Sequence, residues 1–161
     1  MLAPRGLSER DRSRMSLTTQ LAIATAMVAT TVLIHLVGLA GLLAILRRHR
    51  HASQLLIASL VNGIAILLAA FGLFALHALE IWLWAALYLL LDAFPNLEHS
   101  LYFSTSTYVT IGYGDVVLPV GSRILSVIEG ANGIILIGWS TAFFFSIVDR
   151  LKLLERYLEK G

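Results

Sequence analysis

Three long apolar stretches constrain the fold of this chain more than any other feature. They cover residues 17–46, 55–91 and 124–148 of a sequence of 161 residues, 58% of which are hydrophobic and 14% charged. A helix needs about 20 apolar residues to cross the hydrocarbon core of a bilayer, whereas soluble domains carry roughly 25% charged residues. Because a backbone in lipid must satisfy its own hydrogen bonds, we predict an all-α membrane protein.

The middle stretch is too long for one simple crossing. A straight helix of this length would extend about 55 Å, yet residues 77–80 contain no proline or glycine pair that favours a turn. Trp82 and Trp84 provide a marker, since indole rings favour the membrane–water interface. We therefore predict that residues 55–79 cross once and that residues 81–94 form a bent segment along the outer leaflet. Two crossings are the alternative, and they would reverse the side of the N-terminus.

A glycine-containing loop lies between the second and third apolar stretches. Residues 110–114 read T-I-G-Y-G and follow a segment of helical character at residues 97–107. Gly112 and Gly114 can enter the left-handed region without a Cβ penalty, and an alternating backbone turns successive carbonyls toward one axis. Four copies of such a loop around one axis would supply stacked rings of carbonyl oxygens that can replace the hydration shell of a cation. This interpretation requires a tetramer, because one chain supplies one quarter of each ring.

The loop resembles the T-V-G-Y-G selectivity filter of potassium channels, and residues 66–150 resemble the small bacterial channels of this pore-loop family. The resemblance implies a homotetramer in which each subunit contributes an outer helix, a pore helix, a filter and an inner helix. Asp115 would then lie at the outer mouth and raise the local cation concentration. The residues that would form the K⁺-coordinating filter are Thr110, Ile111, Gly112, Tyr113 and Gly114.

The resemblance and the apolar pattern together divide the chain into seven segments. In chain order they are a polar, basic N-terminal tail (1–16), an extra N-terminal transmembrane helix (17–46), a basic loop (47–54), an outer helix with a bent outer segment (55–94), the pore helix, filter and outer mouth (95–120), an inner pore-lining helix (121–148) and an amphipathic cytoplasmic tail (149–161).

The pore helix departs from the family pattern beside the filter. Tyr102 and Phe103 stand where relatives often carry two tryptophans, and Phe103 cannot donate a hydrogen bond. Ser106 stands where some relatives carry a buried acid, so a pairing of that acid with Asp115 is not expected. These departures predict that the cuff of pore-helix side chains around Tyr113 is less rigid than in relatives. A filter that relaxes for this reason would select ions less strictly, so a weakly selective cation channel is the corresponding alternative.

The inner helix carries candidate gating and cavity residues. Gly133 falls where related channels bend, and a glycine inside a helix costs roughly 1 kcal/mol relative to alanine. A hinge and close helix packing are equally compatible with this position. A stripe after Gly133 would line a mainly apolar cavity or contact a neighbouring helix, with Phe145 as a candidate hydrophobic gate. Its members are Ile134, Ile137, Thr141 and Phe145.

Polar residues inside the apolar stretches are expected to have partners. Glu129 is predicted to bond to Ser104 or Ser106, or alternatively to face the permeation path. His77 and Glu80 share one helical face and form either an external proton sensor or a pair satisfied by water and headgroups. These three, Glu129, His77 and Glu80, are the candidate modulatory residues. His35 is expected to make a buried helix–helix hydrogen bond.

Other functional classes lack support in the sequence. The five histidines show no spacing typical of a zinc site, and no Ser-His-Asp set lies outside the membrane helices, so an enzyme is not predicted. The formal charge of +2 is small, and the basic tails suit lipid headgroups better than nucleic acid. We predict a multi-pass protein of the cell membrane, prokaryotic given its compactness, with K⁺ as the permeant ion and no organic cofactor or small-molecule substrate. A non-conducting subunit that uses the pore fold for assembly or sensing is the alternative from a different class.

Overall fold

The computed structural model describes residues 15–48 and 55–158, with side chains described over residues 15–47 and 61–150. Within these ranges the regular structure is entirely helical. Three of the helices are long and apolar enough to cross a membrane, so the predicted all-helical fold is confirmed. The helices are α1 (Leu17–Arg48), α2 (Leu55–Leu90), α3 (Leu97–Tyr108) and α4 (Arg123–Leu158), with a 3-10 turn at Val120–Ser122 before α4.

Parts of the predicted polar segments lie outside the described residues. They are the N-terminal tail up to residue 14, the basic loop from residue 49 to residue 54, and the last three residues. The side chains of the predicted amphipathic tail beyond residue 150 also lie outside them. Its backbone is helical, because α4 continues to Leu158 rather than ending at residue 148. Leucine, lysine, glutamate and arginine predominate there, and all of them are good helix formers.

The middle apolar stretch forms the single continuous helix α2. The bent outer segment predicted for residues 81–94 is not a separate element, because α2 passes through residue 81 and ends at Leu90. No residue in this part of the sequence interrupts the backbone hydrogen bonds of a helix. Trp82 is 55% exposed, but Trp84 is fully buried. Trp84 packs beside Tyr88 with ring centroids 6.2 Å apart, and the position of both indoles at the membrane–water interface stays a prediction.

The structure divides into two compact units. Among the described residues, the first comprises those up to Thr30 together with Ile81–Ile134, and the second comprises those from Thr31 to Glu80 together with those from Ile135 onward. In the first unit, the Gln20 side chain of α1 accepts a 3.3 Å hydrogen bond from the backbone N–H of Ile124. This bond satisfies one of the free N–H groups at the start of α4.

Close packing of α1 on α2 characterises the second unit. A Cβ added at Gly38 would lie 2.6 Å from the tip of Leu76, and one added at Gly72 would lie 2.9 Å from the tip of Leu42. At each glycine, a leucine side chain of the other helix packs directly against the backbone, in space that a Cβ would need. Small residues of this kind allow helix backbones to approach closely, and they drive association where lipid removes the hydrophobic advantage.

A short loop leads from α2 into α3. Asp92 adopts φ 51, a left-handed conformation that ends the preceding helix. Asn96 then begins α3 as its N-cap, and its side-chain oxygen accepts a 3.0 Å hydrogen bond from the N–H of His99. Asparagine is among the preferred residues at this position because it satisfies a free donor of the first turn. The start of α3 is therefore determined locally.

Candidate functional site

The loop after α3 has the alternating backbone that its sequence predicted. Gly112 has φ 57 and Gly114 has φ 80, both in the left-handed region. Thr110 has φ 60 and continues the alternation one step toward α3, where the sequence offers no glycine. A left-handed conformation costs a residue with a Cβ roughly 1–2 kcal/mol. Thr110 is thus held in a strained conformation next to the two glycines.

Backbone hydrogen bonds turn the start of this loop back onto the end of α3. The N–H groups of Ile111 and Gly112 both donate to the carbonyl oxygen of Ser106, at 2.9 and 3.1 Å. In a trans peptide the carbonyl points opposite to the N–H of the next residue. The carbonyls of Thr110 and Ile111 therefore both point away from Ser106. This common orientation leaves two successive carbonyl oxygens free to act together as ligands.

Tyr102 braces the outer part of the loop. Its ring stacks on Tyr113 with centroids 6.4 Å apart and planes 14° apart. Its hydroxyl donates a 2.8 Å hydrogen bond to Asp115, and this bond raises the pKa of the Tyr102 phenol. Phe103 instead is buried against Tyr88, with ring centroids 5.3 Å apart. Tyr102 therefore contacts Tyr113 by stacking and directs its hydrogen bond to Asp115, and the less rigid cuff around Tyr113 stays a prediction.

The bond between Tyr102 and Asp115 gives a direct prediction for the mobility of the loop. Tyr102→Phe keeps the aromatic stack and removes the hydroxyl that holds Asp115. We expect amide hydrogen exchange at residues 112–116 to become several-fold faster, while exchange in α4 is unchanged. Hydrogen exchange measured by mass spectrometry on the purified protein checks this. Asp115→Asn keeps an acceptor oxygen and should have a smaller effect, whereas equal rates in wild type and Tyr102→Phe would contradict the bracing role.

Glu129 lies at the centre of a buried hydrogen-bonded network in the first unit. Its carboxyl group lies 2.5 Å from the hydroxyl of Ser104 on α3 and accepts a 2.6 Å bond from the hydroxyl of Tyr88 on α2. Ser104 Oγ also lies 3.0 Å from the carbonyl oxygen of Ile81. The side chains of Glu129, Ser104 and Tyr88 are fully buried. Of the predicted partners, the structure places Ser104 against Glu129. The sequence did not predict the bond from Tyr88, because that bond depends on how α2 is rotated about its axis.

Gly133 lies where α4 approaches the end of α3. A Cβ at this position would overlap the backbone carbonyl oxygen of Tyr108. At Gly130, a Cβ would lie 3.4 Å from the carbonyl oxygen of Thr107. Helix α4 runs without interruption through both positions. The structure thus shows the close packing that was one of the two interpretations of Gly133.

The predicted cavity stripe lies largely on the surface of the single chain. Ile134 is 57% exposed and Phe145 is 61% exposed, and Thr141 is exposed while Ile137 is half-buried. The Thr141 hydroxyl donates a 2.8 Å bond to the carbonyl oxygen of Ile137 within the same helix. The lining of a cavity by this stripe stays a prediction.

Four polar side chains meet in the second unit. His35 Nδ1 lies 2.8 Å from Glu80 Oε1, and His77 Nδ1 lies 3.2 Å from Glu80 Oε2. Ser140 Oγ lies 2.9 Å from His77 Nε2 and 3.3 Å from His35 Nε2. His35 and Glu80 are fully buried, which corrects the prediction that water and headgroups satisfy Glu80. The sequence did not reveal this cluster because its members come from three helices.

Comparison with protein families found one match, and it covers the region around the loop. Residues 76–150 match a family model described as ion channel. The matched residues begin within α2 and include α3, the T-I-G-Y-G loop and most of α4. This is a family of channels and not of enzymes, which confirms the prediction that the chain is not an enzyme. No curated protein and no solved structure matches the chain.

The family match supports an ion channel of the pore-loop type. Together with three helices of membrane-spanning length, it indicates a multi-pass membrane protein. The Glu129 network lies wholly inside the matched residues. His35 lies outside them, on the helix that precedes the channel region.

Proposed function

We propose that this chain assembles as a homotetramer that conducts K⁺ passively and selectively across the cell membrane. The observation that carries the proposal is the backbone alternation at Thr110, Gly112 and Gly114. Together with the amide bonds to Ser106, it turns successive carbonyls of the loop away from α3. A selectivity filter requires this arrangement, because carbonyl oxygens must replace the hydration shell of the ion.

The oxygens of one chain are too few to enclose an ion. Thr110, Ile111, Gly112 and Tyr113 each contribute one carbonyl per subunit, and Thr110 adds a hydroxyl. Four copies around one axis complete each ring. In such a tetramer the carboxyl end of α3 points toward the pore, and the negative end of its dipole stabilises a cation there. Asp115 adds negative charge at the outer mouth.

The continuity of α2 supports one topology over the alternative. Three crossings by α1, α2 and α4 place the two ends of the chain on opposite sides of the membrane. A pore loop that enters from outside then puts the C-terminal end in the cytoplasm. The basic loop at residues 47–54 is then cytoplasmic too, and the N-terminus is outside. Arginine content does not decide between the two topologies, because the N-terminal tail and this loop are each rich in arginine.

Reconstitution into liposomes tests the proposal. The purified full chain is reconstituted with K⁺ inside, and efflux is compared with that from matched vesicles containing Na⁺, with Ba²⁺ as a blocker. Gly112→Ala is the inactivating variant: a Cβ there would have open space, but φ 57 is unfavourable for alanine. Gly41→Ala is the matched control, because Gly41 lies within helix α1, has no positive φ and also has open space around it.

K⁺-selective, Ba²⁺-sensitive efflux that Gly112→Ala abolishes and Gly41→Ala preserves is the expected result. Equal K⁺ and Na⁺ efflux would replace the proposal with a weakly selective cation channel. No efflux from verified tetramers over a range of pH and voltage would favour a non-conducting subunit. Cross-linking before reconstitution determines the number of chains, so a failure of assembly is distinguished from a failure of conduction.

A further inference from the structure

A closed ring of polar side chains joins α1, α2 and α4 within the second unit. Each imidazole directs Nδ1 to one oxygen of Glu80 and Nε2 to the hydroxyl of Ser140. His35 and Glu80 are fully buried, and Ser140 is 5% exposed. Ionisable groups at membrane depth are costly and mark functional sites more often than structural ones. The ring is unrelated to the filter residues and needs its own explanation.

The donor atoms of this ring match those of a metal site. The candidate ligand atoms of His35, His77 and Glu80 all lie within 4.8 Å of one another. Zn²⁺ binds imidazole nitrogen and carboxylate oxygen at about 2.0–2.2 Å, so two ligands at a tetrahedral angle lie roughly 3.4 Å apart. His35 Nδ1 and His77 Nδ1 lie 2.8 and 3.2 Å from their Glu80 oxygens. Both spacings lie within about 0.6 Å of the tetrahedral value, and the two imidazole ligand atoms are at most 4.8 Å apart.

Ser140 supplies the outer support that such a site requires. A histidine that binds metal through Nδ1 carries its proton on Nε2, and a second group normally accepts that proton in a hydrogen bond. Ser140 Oγ lies within 2.9 Å of one Nε2 and 3.3 Å of the other. A hydroxyl oxygen has two lone pairs, so one serine can orient both rings.

We propose that His35, His77 and Glu80 bind a divalent transition-metal ion, with Ser140 orienting both imidazoles. Two imidazoles and one carboxylate suit Zn²⁺, whereas Mg²⁺ and Ca²⁺ prefer an all-oxygen set. The side chain of His77 is 18% exposed, so this ligand reaches the surface of the single chain. The bound ion ties α1 to α2 directly and to α4 through Ser140. The proposal does not rest on K⁺ conduction.

Metal binding to the purified full chain in detergent tests this site without any flux measurement. After treatment with a chelator, the protein is equilibrated with Zn²⁺, and bound metal per chain is measured by mass spectrometry. Co²⁺ then serves as a spectroscopic probe, since four-coordinate Co²⁺ absorbs strongly in the visible range. Mg²⁺ is the negative control. We expect one Zn²⁺ per chain, no retained Mg²⁺, and a rise in melting temperature that increases with Zn²⁺ concentration.

Variants separate this site from the other histidines. His35→Asn and Glu80→Gln each remove one ligand and should abolish the Co²⁺ spectrum. Ser140→Ala keeps all three ligands and should weaken Zn²⁺ binding by roughly 10–100-fold, which tests the site even if a ligand variant fails to fold. The matched control replaces the three histidines outside the ring, His49, His51 and His99, with asparagine and should bind as wild type does.

Two results would overturn the proposal. One is the absence of Zn²⁺ binding by well-folded wild-type protein. The other is binding that survives His35→Asn and Glu80→Gln but disappears in the triple control variant, which would assign the metal to the histidines outside the ring. Because neither result depends on K⁺ efflux, this site and the channel proposal can fail separately.

Discussion

Gly133→Ala is expected to destabilise the protein strongly and to abolish K⁺ efflux from liposomes. The added methyl group would occupy the space of the Tyr108 carbonyl oxygen. A flexible side-chain tip could move aside, but this oxygen belongs to the backbone at the end of α3. Helix α4 must therefore move away from α3, or the end of α3 must shift. The T-I-G-Y-G loop begins two residues after Tyr108, so either movement displaces the proposed filter.

The size of the effect follows from packing energetics. Forcing an extra methyl group into a well-packed interior typically costs about 1–3 kcal/mol, and sometimes more. Replacing glycine by alanine inside a helix otherwise gains roughly 1 kcal/mol. Gly138→Ala is the matched control, because a Cβ there meets nothing within 4 Å. We expect thermal unfolding in detergent to show a lower melting temperature for Gly133→Ala and an unchanged or higher one for Gly138→Ala.

This comparison also separates the two interpretations of Gly133. If the glycine serves only as a hinge, alanine should leave the melting temperature near that of wild type and change the frequency of opening in single-channel recordings. If it serves close packing, stability and efflux should fall together. An unchanged melting temperature for Gly133→Ala would therefore contradict the packing role.

Local sequence was sufficient to predict the long helices and most of the loop conformation. Gly112 and Gly114 predicted left-handed positions because glycine lacks a Cβ. Thr110 could not be predicted to share that conformation, since threonine carries an intrinsic penalty there. What holds Thr110 is the pair of amide bonds to Ser106 just beyond it. Strain of this kind depends on the surrounding structure and is not visible in the residue type.

Contacts between helices were the part that the sequence could not supply. Tyr88 and Glu129 are 41 positions apart, His35 and Glu80 are 45 apart, and His35 and Ser140 are 105 apart. A helix that is apolar on nearly all sides has no polar face to indicate which side packs against its neighbours. The sequence thus identified Glu129, His77 and Glu80 as residues that need partners. It could name only the partners that were near in sequence or suggested by the family pattern.

Glu129→Ala is expected to produce the second large loss of stability. The substitution removes the group that bonds Tyr88 and Ser104, and both of these side chains are fully buried. A buried polar group left without a partner costs about 1–3 kcal/mol. Tyr88 loses its hydrogen bond to Glu129, while Ser104 can still donate to the carbonyl oxygen of Ile81 at 3.0 Å. The vacated volume adds a further penalty, because the surrounding helices relax only partially.

Glu129→Gln distinguishes hydrogen bonding from charge in this network. Ser104 has one hydroxyl hydrogen and two acceptors within reach, the carbonyl of Ile81 and the carboxyl group of Glu129. If Ser104 donates to Ile81, the short contact with Glu129 requires a hydrogen on the Glu129 side. A glutamine amide supplies that hydrogen and still presents an oxygen to Tyr88. We therefore expect Glu129→Gln to melt near the wild-type temperature, measured as for the glycine variants.

The opposite pattern would assign Glu129 to the permeation path. A carboxylate that attracts cations loses its effect when it becomes an amide, so Glu129→Gln would lower K⁺ conductance as much as Glu129→Ala while both variants remained stable. Complete burial of Glu129 between α2, α3 and α4 argues against that outcome. Near-normal stability and efflux in Glu129→Gln, with both lost in Glu129→Ala, would show that this carboxyl group supports the loop from behind through its hydrogen bonds.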